Sequence, residues 1–363
     1  MLLINPSPLA QADLAPDDAE TFGPSGAGRA RAVMAPWPGF ATTPLQSLNA
    51  LAADLGLGAV HAKDETARMG LGAFKALGGA YAVARLAAAA PSAHDHDEPA
   101  TFVCATAGNH GRSVALGARM AGAKCVTFVG EATSPARADA LASLGAQVVR
   151  EGSTFEESIA ACNAAAKAKG WTVVSDTAWP GYEEIPRLVM QGYTVLAAEA
   201  LDQLAQPPTH VFLQGGVGGL AGAVAAHFAS ALGRPPRIVV VEPERAACLM
   251  TSARAGAPVR IDAGERTAMT MLECYAPSLI AFRILERTAY AFMTVCDEEA
   301  STACERLGRP SSDDPAIATS QSGAAGLAGL IRACGDPAMR RALGLDARSR
   351  VLVVVSEGVA HLG

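Results

Sequence analysis

From about residue 40 onward, short apolar and β-branched runs alternate with long Ala-rich stretches. The runs Thr101–Cys104, Cys125–Val129, Gln147–Val149, Thr172–Ser175, His210–Leu213, Ile238–Val241 and Val351–Val355 predict strands. The stretches Phe74–Ala90, Arg112–Ala121, Arg137–Leu144, Phe155–Lys169, Ile185–Leu204 and Leu220–Leu232 predict helices. Strand and helix in turn, at this spacing, predict a parallel α/β architecture. VCAT, VTFVG and VLVVVS lack a two-residue polarity rhythm, as expected of strands covered on both faces. The first ~40 residues, rich in Pro and Gly, read as an irregular arm packed on the body or on a partner subunit. Residues 91–99 and 308–323 read as loops, and no internal repeat is found.

A chain of 363 residues exceeds what one hydrophobic core usually serves, so two domains are expected. Half the residues are apolar, 18% are charged and the net charge is −6, without any basic cluster. That balance argues against a nucleic-acid partner, which would need grouped Lys and Arg. No run approaches the ~18 apolar residues that span a bilayer, so no membrane partner is expected. The N-terminus also lacks the basic-then-apolar form of a secretory signal. The eight cysteines are scattered with no C-x-x-C pair, which suits a reducing cytoplasm. His94-Asp95-His96-Asp97 has no further ligands around it and reads as a solvated loop, so no metal is expected.

Three segments carry chemistry. Gly215-Gly216-Val217-Gly218-Gly219 follows a predicted strand and opens a predicted helix. A glycine-rich turn of this kind exposes backbone N–H groups beside the positive end of a helix dipole, a cradle for phosphate. A tight turn that merely needs left-handed glycines is the plainer alternative. The pattern matches neither a nucleoside-triphosphate loop nor a dinucleotide fingerprint, which leaves a monophosphate-bearing cofactor. Lys75 lies near a helix start, where its charge opposes the dipole. In an apolar setting beside another positive potential, its amine would lose basicity and become a usable nucleophile. Thr106-Ala107-Gly108-Asn109-His110-Gly111 is a second strand-to-helix turn, at a strand's carboxyl end, where α/β sheets bind ligands.

Together these segments resemble the fold-type II pyridoxal-phosphate (PLP) enzymes, the tryptophan synthase β-like group, and are most similar to the diaminopropionate ammonia-lyase family. The likeness rests on KDETARMGLGAFKALGGAYA (63–82), ATAGNHGRSVA (105–115), SDTAWPGYEEIPRLVMQGY (175–193), GGVGGLAGAV (215–224) and VVVSEG (353–358). The 175–193 segment is the most specific, since general threonine dehydratases lack it.

The resemblance implies a larger PLP-binding domain from residues 1–100 and 201–363, a smaller inserted mobile domain at 101–200, and the cofactor in the cleft between them. Lys75 would be the Schiff-base lysine and Gly215–Gly219 the phosphate loop. Asn109 would face the PLP 3′ oxygen, and Ser356 the pyridine nitrogen. Asp176 would join Lys75 in catalysis by steadying the group that leaves Cβ. Thr106, Ala107, Gly108, His110 and Ser322 would border the substrate. The family carries an acidic residue where this chain has Ala107, which brings the turn closer to that of serine/threonine dehydratases. The implied reaction is α,β-elimination on a small amino acid, with 2,3-diaminopropionate (L-isomer favoured) giving pyruvate and ammonia. Serine/threonine- or hydroxyaspartate-type dehydration, β-replacement and racemisation stay open. A homodimer is expected by the same resemblance. Cys248 and Cys274 fall in segments expected to border the entrance, and whether they pair is left open.

Overall fold

A computed structural model describes residues 1–89, 99–310 and 313–359. The His94–Asp97 tract therefore lies outside the described residues. The chain opens with β1 (Leu2–Ile4), α1 (Pro16–Phe22), α2 (Pro24–Met34), β2 (Leu45–Ser47), α3 (Asn49–Asp54), β3 (Ala59–Asp64) and α4 (Lys75–Ala89). The expected irregular arm is thus corrected. Pro16 and Pro24 start two short helices, as prolines do at a helix's first turn. Phe22 and Met34 are fully buried, so the arm is part of the core.

Next come β4 (Thr101–Ala105), α5 (Asn109–Met120), β5 (Lys124–Val129), α6 (Pro135–Ser143), β6 (Ala146–Arg150), α7 (Phe155–Lys169) and β7 (Thr172–Val173). These four strands form one parallel sheet in the order β6-β5-β4-β7. β7 is shorter than expected because Ser175 turns away: its N–H donates to the Tyr182 hydroxyl at 3.0 Å. In α7, Thr154 and Glu157 form a capping box and Gly170 closes the helix at φ 66°, so both ends are marked in the sequence.

The chain continues through α8 (Glu184–Gln203), β8 (His210–Gln214), α9 (Gly219–Ala231), β9 (Arg237–Pro243), α10 (Cys248–Ala255), α11 (Leu279–Thr288) and β10 (Ala289–Val295). It ends with α12 (Asp297–Gly308), α13 (Gln321–Gly335), α14 (Pro337–Leu343) and β11 (Arg350–Val355). A seven-stranded sheet runs β1-β10-β9-β8-β11-β3-β2, with parallel strands inside and β1 and β2 antiparallel at the edges. All five residues of β8 are buried, and so are five of the six in β11, which accounts for their unbroken apolar runs. α4 packs on both α5 and α8, while α8 also packs on α2 and α9. Among the described residues no helix is long and apolar enough to cross a membrane, and no group of three potential metal ligands is found.

Candidate active site

Lys75 is delivered by a strained approach. Met69, Gly70 and Gly72 all have positive φ (52°, 68° and 73°), and Met69 is the side-chain-bearing residue among them. These turns bring 72–74 alongside the segment that leaves β11. The Phe74 N–H donates to Ser356 O at 3.0 Å, and the Gly358 N–H donates to Gly72 O at 3.0 Å. α4 then starts at Lys75 itself, beside buried Ser356.

The Lys75 ammonium donates to Asp176 Oδ2, with the two side chains 22% and 20% exposed. Burial is the largest single effect and pulls the Lys75 amine down, but the opposing effects, led by the Asp176 charge, together hold it above the ordinary lysine range. The expected loss of basicity is therefore corrected: the sequence signal that marked Lys75 did not reveal its anionic partner. Asp176 is shifted the opposite way. Burial pushes its carboxyl up, while the charge and hydrogen bond of Lys75 hold it well below the usual carboxylate range.

The glycine loop lies close by. Gly218 needs its φ of 96°, and a Cβ there would sit 3.0 Å from Leu249 Cδ2. Not all five predicted residues can serve an anion. The Gly215 N–H is spent on Val241 O (2.8 Å), extending the sheet, and the Val217 carbonyl accepts from the Ser278 N–H. Among the described residues the N–H groups of Gly216, Gly218 and Gly219 have no acceptor, as befits a helix N-terminus. Ser278 joins this loop to the Asp176 turn: its N–H donates to Val217 O (2.9 Å) and its Oγ accepts from the Ala178 N–H (3.0 Å). Cys248 and Cys274 are both free thiols beside Gly216; the Cys248 Sγ donates to Gly216 O at 3.5 Å, and Cys274 Sγ would be 3.0 Å from a Cβ on Gly216.

The turn before α5 forms another wall. Thr106 Oγ1 accepts from the Gly108 N–H at 3.0 Å and so shapes the turn. His110 is buried, its Nε2 is 2.9 Å from Val174 O, and its Nδ1 has no partner among the described residues. Burial pushes its pKa down, so the ring is neutral at pH 7. The Asn109 amide, expected to face a cofactor oxygen, instead donates to Glu357 Oε2 at 2.6 Å. Ser320 Oγ donates to Glu357 Oε1 (2.5 Å), while Ser322 Oγ accepts from the Met271 N–H (3.1 Å). Burial raises the Glu357 carboxyl against the opposing pull of Ser320, Lys75 and Asn109. Ala107, Gly108 and Asn109 line a recess with Arg112, Arg137 and Glu357.

Glu357, Tyr193 and Arg112 are the residues that sequence reasoning missed. Glu357 directly follows Ser356, and Tyr193 ends the 175–193 segment, so each was within reach of a motif already noted. The Tyr193 hydroxyl is buried without a partner among the described residues.

A lysine amine, unspent N–H groups at a helix start and an orphan buried hydroxyl together fit a carbonyl compound carrying a phosphate monoester. The comparisons agree. A family model described as pyridoxal-phosphate dependent enzyme matches residues 37–357. The diaminopropionate ammonia-lyase of Salmonella typhimurium is 37% identical, covering 88% of this chain and 86% of its own. The biosynthetic L-threonine dehydratase of Haemophilus influenzae is 30% identical over 64% of this chain and 42% of its own. A crystal structure of diaminopropionate ammonia lyase from Escherichia coli, in complex with an aminoacrylate-PLP azomethine reaction intermediate, has a TM-score of 0.89 at 33% identity. It covers 100% of this chain and 94% of that one.

Proposed function

This chain belongs to the pyridoxal-phosphate dependent enzymes, with the fold-type II architecture, and from that premise we propose that it eliminates the β-substituent of a small amino acid. The substrate of first choice is 2,3-diaminopropionate, the L-isomer favoured, with pyruvate and ammonia as products. The observation that carries this reading is the Lys75–Asp176 pair beside the glycine loop.

Lys75 would hold the cofactor covalently, with Gly216, Gly218 and Gly219 on its phosphate and Ser356 and Asn109 toward its ring. Asn109 must leave Glu357 to do so. When bound, PLP supplies the electron sink that lets the Cα proton depart. Lys75 Nζ, freed when the substrate amine takes its place on the cofactor, would take that proton from an L-substrate. Asp176, charged while Lys75 is a cation, holds the ammonium at Cβ. That ammonium is already protonated, so it would leave Cβ as neutral ammonia while the Cα proton stays on Lys75, whose charge keeps Asp176 ionised beside it. The N–H groups of His110 and Gly111 at the start of α5, which have no acceptor among the described residues, would grip the substrate carboxylate.

One observation favours a second reading. Ala107 shares its recess with Arg112 and Arg137, and the Arg112 Nε and Nη1 atoms are buried without partners among the described residues. Such a recess suits a second carboxylate, as in hydroxyaspartate-type dehydration. Release of 2-oxo acid from L- and D-diaminopropionate, serine, threonine and threo-3-hydroxyaspartate separates the two. Fastest turnover of L-diaminopropionate supports the first reading. Fastest turnover of hydroxyaspartate replaces it with the second, and strong turnover of D-diaminopropionate contradicts the preference for the L-isomer.

The division into a larger part (1–100 and 201–363) and a smaller mobile part (101–200) belongs to the same proposal. The separate parallel sheet of 101–173 supports it. A homodimeric assembly and a cytoplasmic setting are part of the same proposal, in keeping with the relatives' kind of reaction and with eight free thiols.

A further inference from the structure

Tyr193 sits where α4, α8 and the glycine loop converge. α8 crosses α4 at a pair of glycines: a Cβ on Gly192 would meet Leu77 O at 2.3 Å and Gly78 Cα at 3.0 Å. A Cβ on Gly78 would in turn fall 2.4 Å from Tyr193 Cε1 and 2.7 Å from Cζ. The two glycines therefore leave room for the phenol against the first turn of Lys75's helix. Its ring packs on Phe74, with centroids 4.8 Å apart. The other edge, at Cε2, lies 3.8 Å from the Cβ position of Gly219, the first residue of α9. So the side chain is wedged between the lysine helix and the helix start that ends the loop.

The residue is 2% exposed, and its hydroxyl has no hydrogen-bond partner among the described residues. A buried hydroxyl is costly unless something accepts its proton. Lys75 is a donor already engaged by Asp176, so it offers the hydroxyl no acceptor. A phosphate monoester in the loop would offer three acceptor oxygens to a set of donors that is otherwise backbone N–H.

We propose that the Tyr193 hydroxyl is the side-chain donor to the cofactor phosphate, completing the cradle of Gly216, Gly218 and Gly219. The proposal rests on the PLP reading and adds to it a residue outside the loop. It gives the Gly78–Gly192 crossing a purpose, since larger residues there would displace the phenol.

The test compares Tyr193→Phe with wild type, using PLP and pyridoxal, which lacks the phosphate, in spectroscopic titrations of cofactor-free protein. The expected result is a Kd for PLP raised about 10- to 100-fold, the range of one hydrogen bond to a charged group. The pyridoxal Kd stays unchanged, and the phosphorus NMR signal of bound PLP shifts. Cofactor-free Tyr193→Phe should melt no lower than wild type, because the lost hydroxyl was unpaired; this also shows that the variant folds. Unchanged PLP affinity, or equal losses for PLP and pyridoxal, would overturn the proposal. Wild-type protein that binds neither compound would instead overturn the cofactor reading beneath it.

Discussion

Lys75 and Asp176 set each other's charge, and the consequence is a measurable pH dependence. Asp176 has a folded pKa below its unfolded value of about 3.9, so its stabilising effect is fully present above that pH. It fades as pH falls below about 4 toward the folded value. Cofactor-free Asp176→Asn should therefore be about 1–3 kcal/mol less stable than wild type at pH 7, with the gap closing below about pH 4. Denaturant curves at several pH values would show this; a gap independent of pH would mean that the pair is not the source. In the holoenzyme the same variant should lose about 10²–10⁴-fold in kcat, the worth of a positioned acid–base group. Undiminished turnover would remove Asp176 from the chemistry.

At the scale of elements, the glycine loop and the caps can be tested apart. Gly218→Ala must hold a left-handed φ and push against Leu249 and Ala281. It should cost about 1–3 kcal/mol and weaken cofactor retention, as seen in thermal melts and in the absorbance of purified protein. Thr154→Ala removes the capping box of α7, away from Lys75, and should cost about 1 kcal/mol with kcat unchanged. A change in kcat there would tie α7 to the site. The same elements show what the sequence made legible. Both ends of α7 were marked by residues whose effect is local, and β8 and β11 by continuous apolar runs. β3 was missed because Lys63 lies in it, fully buried, with its charge met by Glu199 (2.9 Å) and its protons by Thr43 O and Gln203 Oε1. Those partners are distant in sequence, so a local reading sees only a polar break. β10 was missed because AYAFMTV runs on directly from the helical LIAFRILERT. In the site, Lys75, the loop and Asp176 were legible as motifs. The Asn109–Glu357 bond and the orphan Tyr193 hydroxyl were not, because each depends on segments that meet only in the folded chain.

Across the whole molecule, Lys75 opens a helix that touches both the small-sheet helix α5 and α8, while Asp176 follows the last strand of the small sheet. Cofactor binding should therefore stabilise the protein as a unit. At a hundredfold excess over Kd, PLP should add about 2.7 kcal/mol to unfolding, and stripping it should lower Tm accordingly. A Tm indifferent to PLP would mean that the cofactor does not bind the native state. The central claim, that Lys75 carries PLP, meets its most direct test in borohydride reduction of the holoenzyme followed by peptide mass spectrometry. The account predicts loss of the visible absorption band and one phosphopyridoxyl group fixed on the peptide bearing Lys75. Label on another lysine, or none at all, would contradict it.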